Sequence, residues 1–205
     1  MINWTPVGDT LFIMNEPEGE ISPSQAASIS QWILNQKIIG VQEVIPVFNS
    51  IGIYVDPLFD PHLLPENLPS LSASDFSPRL VEVKMKFDPG FGDCDEICQL
   101  LGISQKELIE RFLACEFTVG AIGFCPGFPY LLGLDQKLQG IKRKETPRKQ
   151  VPAGSIAIVE DQACIYTMDR PGGWWLIGQT SDRLVEIEKG FFAFSTGDQV
   201  RFTLA

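Results

Sequence analysis

The sequence contains a single histidine, His62, and this scarcity excludes several kinds of active site. A Ser–His or Cys–His nucleophile pair would have to use this one side chain, which lies in a proline-rich stretch. The five cysteines form no CxxC motif. Cys94 and Cys98 are spaced to share one helical face, but a zinc site would need two further ligands. We therefore expect reduced, mostly buried thiols, no metal site and no disulfide framework.

The chain also lacks an excess of basic residues and any long hydrophobic run. Its 16 Lys and Arg against 26 Asp and Glu give a net charge of −10. Nucleic-acid binding needs a basic face, so we expect no nucleic-acid partner. No run of about 18 uncharged apolar residues is present, which predicts no transmembrane helix. The first residues lack the basic and apolar regions of a secretory signal. We expect a cytoplasmic protein without a membrane partner.

Hydrophobic periodicity predicts a small α+β domain over residues 1–79. An apolar strand over 10–14 precedes a helix that Ser22 caps, with Pro23 at its first position and Gly40 at its end. Two β-branched runs then predict strands. Proline and serine recur from residue 56 to residue 79, which is typical of a connection between domains.

The second predicted domain, residues 80–205, is mainly β. A strand over 81–87 alternates apolar and charged residues, and two helices follow near 93–101 and 104–116. Short apolar runs separated by Gly and Pro turns favour a β-barrel or a sandwich. These runs are 117–124, 155–159, 163–167, 174–178, 184–188, 191–194 and 199–204.

Three neighbouring segments combine Gly and Pro with aromatic side chains or arginine. They are residues 123–131 (GFCPGFPYL), 146–155 (TPRKQVPAGS) and 170–180 (RPGGWWLIGQT). Aromatic rings supply flat binding walls and arginine supplies a fork for anions, so the segments predict a lined groove. The alternative is that Gly and Pro form tight turns and the aromatics fill the core. For Arg148 in particular, the alternative is an ion pair with an acid of the fold. The basic run at 142–144 suits a phosphate or carboxylate ligand, although Walker A and GxGxxG motifs are absent.

These segments resemble the signature blocks of the 5-oxoprolinase B-subunit family. Proteins of this family are also described as allophanate hydrolase subunit 1 and as KipI, an inhibitor of a sporulation histidine kinase. The resemblance extends more weakly over nearly the whole chain. It implies a small α+β N-terminal domain followed by a cyclophilin-like β-barrel.

The resemblance also implies a function. This chain would be a non-autonomous subunit of an ATP-dependent complex that cleaves 5-oxo-L-proline to L-glutamate, and it would be inactive alone. Its partners would be two further subunits, one with a related barrel and one a separate catalytic subunit. ATP with Mg²⁺ would belong to the complex, and no cofactor is assigned to this chain. The alternatives are a KipI-like inhibitor that binds a sensor histidine kinase and an allophanate hydrolase-type amide hydrolase component.

The three segments and the resemblance together give candidate substrate-binding residues but no catalytic residue. Arg143 and Arg148 match arginines of the family, and Ser155 matches the serine of its Pro-x-Gly-Ser motif. The full set of candidates is Phe128, Tyr130, Arg143, Arg148, Ser155, Gly173 and Trp174.

The sequence departs from the family pattern at several positions. Phe112 and Phe87 stand where the family carries a histidine and a tyrosine, and Lys142 stands where a proline is usual. The motif Gly-Pro-Asp-Leu is reduced to Gly92-Asp93-Cys94. Loss of the histidine and the tyrosine argues against acid–base chemistry at that edge, and it gives weight to the inhibitor alternative.

Overall fold

The computed structural model describes residues 2–15, 21–67, 78–87 and 91–205. Tertiary contacts divide the chain into two compact units, one ending at Pro78 and the other beginning at Arg79. Each unit has its own buried apolar core. Within the described ranges, none of the helices has the length and apolar character that crossing a bilayer requires.

The first unit is an antiparallel sheet of four strands with one helix. Its elements are β1 (Asn3–Val7), β2 (Leu11–Asn15), α1 (Pro23–Asn35), β3 (Val41–Val47) and β4 (Ser50–Val55), followed by a 3-10 turn at Pro61–Leu63. The strand order is β1-β2-β4-β3. Helix α1 begins where the sequence predicts, because Ser22 and Gln25 form a reciprocal capping box. It ends five residues before Gly40. Much of the predicted connection, residues 68–77, lies outside the described residues.

The second unit contains two helices and eleven strands among its described residues. They are β5 (Leu80–Met85), α2 (Cys94–Leu101), α3 (Gln105–Leu113), β6 (Phe117–Ile122), β7 (Pro129–Leu132), β8 (Arg148–Val151), β9 (Ser155–Val159), β10 (Gln162–Ile165), β11 (Arg170–Gly172), β12 (Trp175–Gln179), β13 (Val185–Glu186), β14 (Phe191–Phe192) and β15 (Gln199–Leu204). Two 3-10 turns lie at Gln136–Leu138 and Ile187–Lys189.

Seven of these strands form a nearly closed, barrel-like sheet, as the sequence predicts. Their order is β12-β9-β10-β7-β6-β15-β5, and all neighbours are antiparallel except β15 and β5. The two outer strands meet where Lys86 and Gln179 exchange backbone hydrogen bonds of 2.7 and 3.0 Å. Closure of this kind removes the free edges that an open sheet would expose.

The remaining strands form two short ribbons beside the barrel. Strand β8 pairs with β11, and β13 pairs with β14. The β8–β11 ribbon comes from two of the Gly/Pro-rich segments, residues 146–155 and 170–180. The ribbon therefore brings these segments side by side at one end of the sheet, next to the start of β12.

Candidate functional site

The start of α2 is fastened to β12 through Asp93. The Asp93 N–H donates to the Leu176 carbonyl at 2.8 Å, and the Leu176 N–H donates to Asp93 Oδ2 at 2.8 Å. Gly92, which precedes Asp93, has a φ of +83°, and a Cβ at Gly92 would lie 2.5 Å from the Leu176 carbonyl oxygen. Only glycine suits this close approach. The side chain of Asp93 does not cap its own helix and is directed to other partners.

Two cations share the second oxygen of this carboxylate. Lys144 Nζ lies 2.6 Å and Arg148 Nη2 lies 2.5 Å from Asp93 Oδ1. Only 2% of the Asp93 side chain is exposed. Burial by itself raises the pKa of Asp93, but the hydrogen bonds from Arg148, Lys144 and the Leu176 N–H outweigh it and hold the pKa below its usual value. Asp93 is therefore a charged, buried junction between α2, β8, β12 and the loop before β8.

Arg148 forms an ion pair with Asp93 in this junction. The sequence predicted it in a ligand groove, with an ion pair inside the fold as the alternative, and its contact with Asp93 is such an ion pair. The physical reason is that a buried carboxylate must be paired, and Asp93 is nearly inaccessible. Arg148 does not belong to the lining of the aromatic pocket described next.

A small aromatic pocket lies beside the β8–β11 ribbon. Its volume is about 240 Å³. Its lining comprises Phe124, Phe128, Tyr130, Arg143, Pro147, Tyr166, Pro171, Gly172, Gly173 and Trp174. Phe128, Tyr166 and Trp174 are almost fully buried and form its floor, whereas Phe124 is 57% exposed at the rim. The rings meet edge to face, with Phe128 and Tyr130 centroids 5.1 Å apart and Phe128 and Tyr166 centroids 5.3 Å apart.

Arg143 supplies the positive charge of this aromatic pocket. Its side chain is exposed, and Cζ lies 6.0 Å from the centroid of the Trp174 ring. Within the described part of the chain, its guanidinium forms no ion pair with a carboxylate. The lining, taken over the same residues, contains no carboxylate, histidine or cysteine. An aromatic site with one unpaired guanidinium suits a small ring that carries one negative charge.

The structure brings five of the seven predicted site residues together around this pocket: Phe128, Tyr130, Arg143, Gly173 and Trp174. Ser155 stands apart from it. It begins β9, is fully buried, and its hydroxyl has no hydrogen-bond partner among the described residues. Asp93 joins several segments at this end of the barrel; the sequence marks it only as the aspartate of the shortened motif Gly92-Asp93-Cys94 and predicts no role for it.

A larger cleft lies on the other side of the loop that carries Arg143. Its volume is about 720 Å³, and its walls come from the end of α2, residues 139–146 and Trp175. Arg143 lines both the cleft and the aromatic pocket. Trp174 and Trp175 thus serve two different cavities, although they are adjacent in the sequence.

The cysteines of this chain are thiols rather than disulfides. All five are free, and four are buried. Burial raises the pKa of Cys94 to about 12 and that of Cys164 well above its usual value, so neither is a thiolate at neutral pH. Among the described residues, no three His, Cys, Asp or Glu side chains converge as they would to hold a metal ion.

Comparison with known proteins identifies the family. A family model described as carboxyltransferase domain, subdomain C and D, matches residues 2–190. The B subunit of 5-oxoprolinase from Bacillus subtilis strain 168 is 31% identical over 184 residues, covering 82% of this chain and 75% of that protein. The protein of the same name from Escherichia coli O157:H7 is 32% identical over 209 residues, covering 96% of this chain and 93% of that protein. The chain belongs to the 5-oxoprolinase B-subunit family.

A solved structure has a similar fold. The crystal structure of TTHA0988 matches this chain with a TM-score of 0.79 and 27% sequence identity. The match covers 100% of this chain and 40% of that one, so this chain spans less than half the length of TTHA0988.

The two aromatic departures from the pattern of the 5-oxoprolinase B-subunit family are core positions here. Phe112 is fully buried and packs on Phe117 and Phe202, with ring centroids 5.2 and 4.9 Å away. Phe87 packs against the same core at its edge. Neither residue lines the aromatic pocket. A phenylalanine in place of histidine at position 112 therefore removes no group from that pocket.

Proposed function

We propose that this chain is a non-autonomous subunit of an ATP-dependent 5-oxoprolinase-type complex that cleaves 5-oxo-L-proline to L-glutamate. In this proposal its cyclophilin-like barrel holds the lactam in the aromatic pocket. The names of its relatives support the type of complex. The observation that carries the proposal is the Arg143 guanidinium, which pairs with no described carboxylate and lies at the mouth of a pocket rich in aromatic side chains.

The size and chemistry of the pocket suit 5-oxo-L-proline, which is a five-membered lactam with one carboxylate. About 240 Å³ is smaller than the roughly 300–1,000 Å³ of pockets for drug-sized ligands. The buried rings of Phe128, Tyr166 and Trp174 offer apolar surface to the lactam ring. Arg143 pairs with the carboxylate, and a charge-assisted contact of this kind is among the stronger hydrogen bonds.

The residues of the pocket bind and orient the ligand. Arg143 fixes the carboxylate, and the aromatic floor excludes water from the ring. Burial raises the pKa of Tyr166, so its phenol keeps its proton at neutral pH and cannot act as a base. Burial also raises the pKa of Tyr130, the other phenol of the lining. Because the described lining holds no carboxylate, histidine or cysteine, we assign ring opening to a different component of the complex.

We assign ATP with Mg²⁺ to neither the aromatic pocket nor the larger cleft. The aromatic pocket is too small for a nucleoside triphosphate. The larger cleft is bordered by the last two residues of α2, where the negative end of the helix dipole opposes the positive charge of Lys142 and Arg143 in the same lining. Lys144 in that cleft is already bound to Asp93 and Glu96. We therefore propose that the nucleotide is held elsewhere in the complex.

Glutamate release by the reconstituted complex tests the proposal. The chain is combined with candidate partner subunits from its own genome, ATP, Mg²⁺ and 5-oxo-L-proline. We expect glutamate from the complex and none from the chain alone. Arg143→Met should lower the rate about ten-fold or more at unchanged melting temperature, because one charge-assisted contact is lost. Robust ATP-dependent release by the chain alone, or an Arg143→Met complex as active as the wild type, would refute the proposal.

A further inference from the structure

We infer that Lys144 is a positioning residue, whose side chain, held by Asp93, places the neighbouring Arg143 at the mouth of the aromatic pocket. The inference rests on the proposed function, because it assigns Arg143 to the carboxylate of the ligand. It adds a residue that touches no ligand and acts only through its neighbour.

Lys144 is bound at both its backbone and its side chain. Its N–H donates to the Gly173 carbonyl at 2.9 Å, which ties the loop to the wall of the pocket. Its ammonium lies 2.6 Å from Asp93 Oδ1 and 2.9 Å from Glu96 Oε2. The same ammonium lies 4.0 Å from the centroid of the Trp175 ring. Only 17% of this side chain is exposed, an unusual degree of burial for a lysine.

Arg143 is therefore held through its chain neighbours. On its other side, the Lys142 carbonyl accepts a hydrogen bond of 2.7 Å from Trp175 Nε1. The backbone of Arg143 lies between these two fixed points, while its side chain is exposed beside Trp174. A guanidinium on a fixed backbone loses less conformational entropy on binding than one on a mobile loop. We call these two fixed points, the bound Lys144 and the Lys142 carbonyl held by Trp175, the clamp. The clamp favours binding of the ligand's carboxylate although neither point contacts the carboxylate.

Asp93 can lose Lys144 and still be paired. Arg148 Nη2 and the Leu176 N–H remain bound to its two oxygens. Arg148 is also held independently, because it pairs with Gly172 in the β8–β11 ribbon. Removal of the ammonium in Lys144→Met should therefore free the loop while the barrel stays folded. The methionine keeps most of the apolar stem of the lysine.

Calorimetric titration with two ligands separates positioning from a general structural effect. The ligands are 5-oxo-L-proline and 2-pyrrolidinone, which is the same ring without the carboxylate. Lys144→Met should weaken 5-oxo-L-proline binding about five- to ten-fold and leave 2-pyrrolidinone unchanged, because only the anion uses Arg143. Lys149→Met, at an exposed lysine of β8, is the matched control and should bind like the wild type.

The double variant shows whether Lys144 acts through Arg143. In an Arg143→Met background, Lys144→Met should have no further effect on 5-oxo-L-proline binding, because residues that act as one unit are not additive. An additive loss, an equal loss for both ligands, or wild-type affinity in Lys144→Met would each overturn the inference.

Amide hydrogen exchange tests the clamp without a ligand. Lys144→Met should make the amides of residues 142–146 exchange about ten-fold faster or more, with α3 and β15 unchanged. Unchanged exchange in this loop would overturn the inference whatever the titrations show. A wild-type chain that binds no 5-oxo-L-proline would instead refute the proposed function, and the exchange measurement would still decide whether Lys144 holds this loop.

Discussion

Arg148 donates to Asp93 across 55 positions of sequence, with Nη2 2.5 Å from Oδ1. The contact joins the first residue of β8 to the N-cap residue that precedes α2. The sequence predicts both Arg143 and Arg148 as ligand-binding residues, and this contact gives the two arginines different roles. Arg148 neutralises a buried carboxylate, whereas Arg143, which forms no ion pair within the described ranges, presents its guanidinium to the aromatic pocket.

Replacement of Arg148 should therefore affect stability more than binding. We expect Arg148→Met to lower the free energy of unfolding of the barrel unit by about 2 kcal/mol, because Asp93 loses one of two cations in a nearly inaccessible position. Arg148→Lys should cost less, since it keeps the charge but not the planar fork. Urea unfolding measures both, with Lys149→Met as the exposed control. If Arg148→Met were as stable as the wild type and no longer bound 5-oxo-L-proline, Arg148 would be a ligand-binding residue and this account of it would be wrong.

The stabilising effect of Asp93 should depend on pH in one direction. Its pKa in the folded state lies below the usual value of about 3.9, despite burial, because Arg148, Lys144 and the Leu176 N–H bind the charged form. A carboxyl with a lowered pKa stabilises the fold above its unfolded-state pKa, and this stabilisation is lost as the pH falls through its folded-state pKa.

Thermal unfolding of wild type and Asp93→Asn across pH tests this dependence. The difference in stability should be constant from about pH 7 to pH 5 and shrink below about pH 4. Asp161→Asn, at an exposed aspartate in the turn before β10, is the control and should show little difference. A wild-type advantage over Asp93→Asn that persists unchanged to about pH 2 would contradict the assignment.

Restoring the family histidine at position 112 should damage the core without adding activity. Phe112→His places an imidazole between Phe117 and Phe202, and we expect it to cost about 3 kcal/mol of stability. Phe112→Leu stays apolar and should cost about 1 kcal/mol. Chemical denaturation gives both values. If Phe112→His were as stable as the wild type and raised glutamate release by the complex, position 112 would belong to the chemistry.

Gly172→Ala should close the aromatic pocket. A Cβ at this position would overlap the Tyr166 hydroxyl and lie 2.8 Å from Tyr166 Cζ, and the buried ring has little room to move. We expect at least about a ten-fold loss of 5-oxo-L-proline affinity. In Gly123→Ala, the added methyl makes an ordinary 3.7 Å contact with Tyr130, so this variant is the control. Equal affinities in the two variants would show that the ligand binds elsewhere.

The sequence predicted the elements whose periodicity is regular. Strand β9 coincides with the predicted run 155–159, and α3 begins at the Ser104 cap. Strands β7, β8 and β11 were not predicted, because their segments contain proline or glycine and are only three or four residues long. Each of these strands pairs with a strand that is distant in sequence, and local hydrophobic periodicity carries no information on such pairing.

The candidate site was predictable where aromatic residues cluster in sequence. The Gly/Pro-rich segments supplied Phe128, Tyr130 and Trp174, and the basic run supplied Arg143. The role of Asp93 could not be read in the same way, because its partners are 51, 55 and 83 positions away. A lone aspartate at the start of a helix looks like an ordinary cap. Only the folded barrel shows that its carboxylate is buried among cations.

Equilibrium binding of 5-oxo-L-proline to the purified chain tests the central claim most directly. We predict that the wild type binds 5-oxo-L-proline at least about ten-fold more tightly than 2-pyrrolidinone, because Arg143 contacts the carboxylate. We also predict that Arg143→Met removes this preference while 2-pyrrolidinone still binds. No binding of 5-oxo-L-proline by the folded wild type, or a preference that survives Arg143→Met, would contradict this assignment of the pocket.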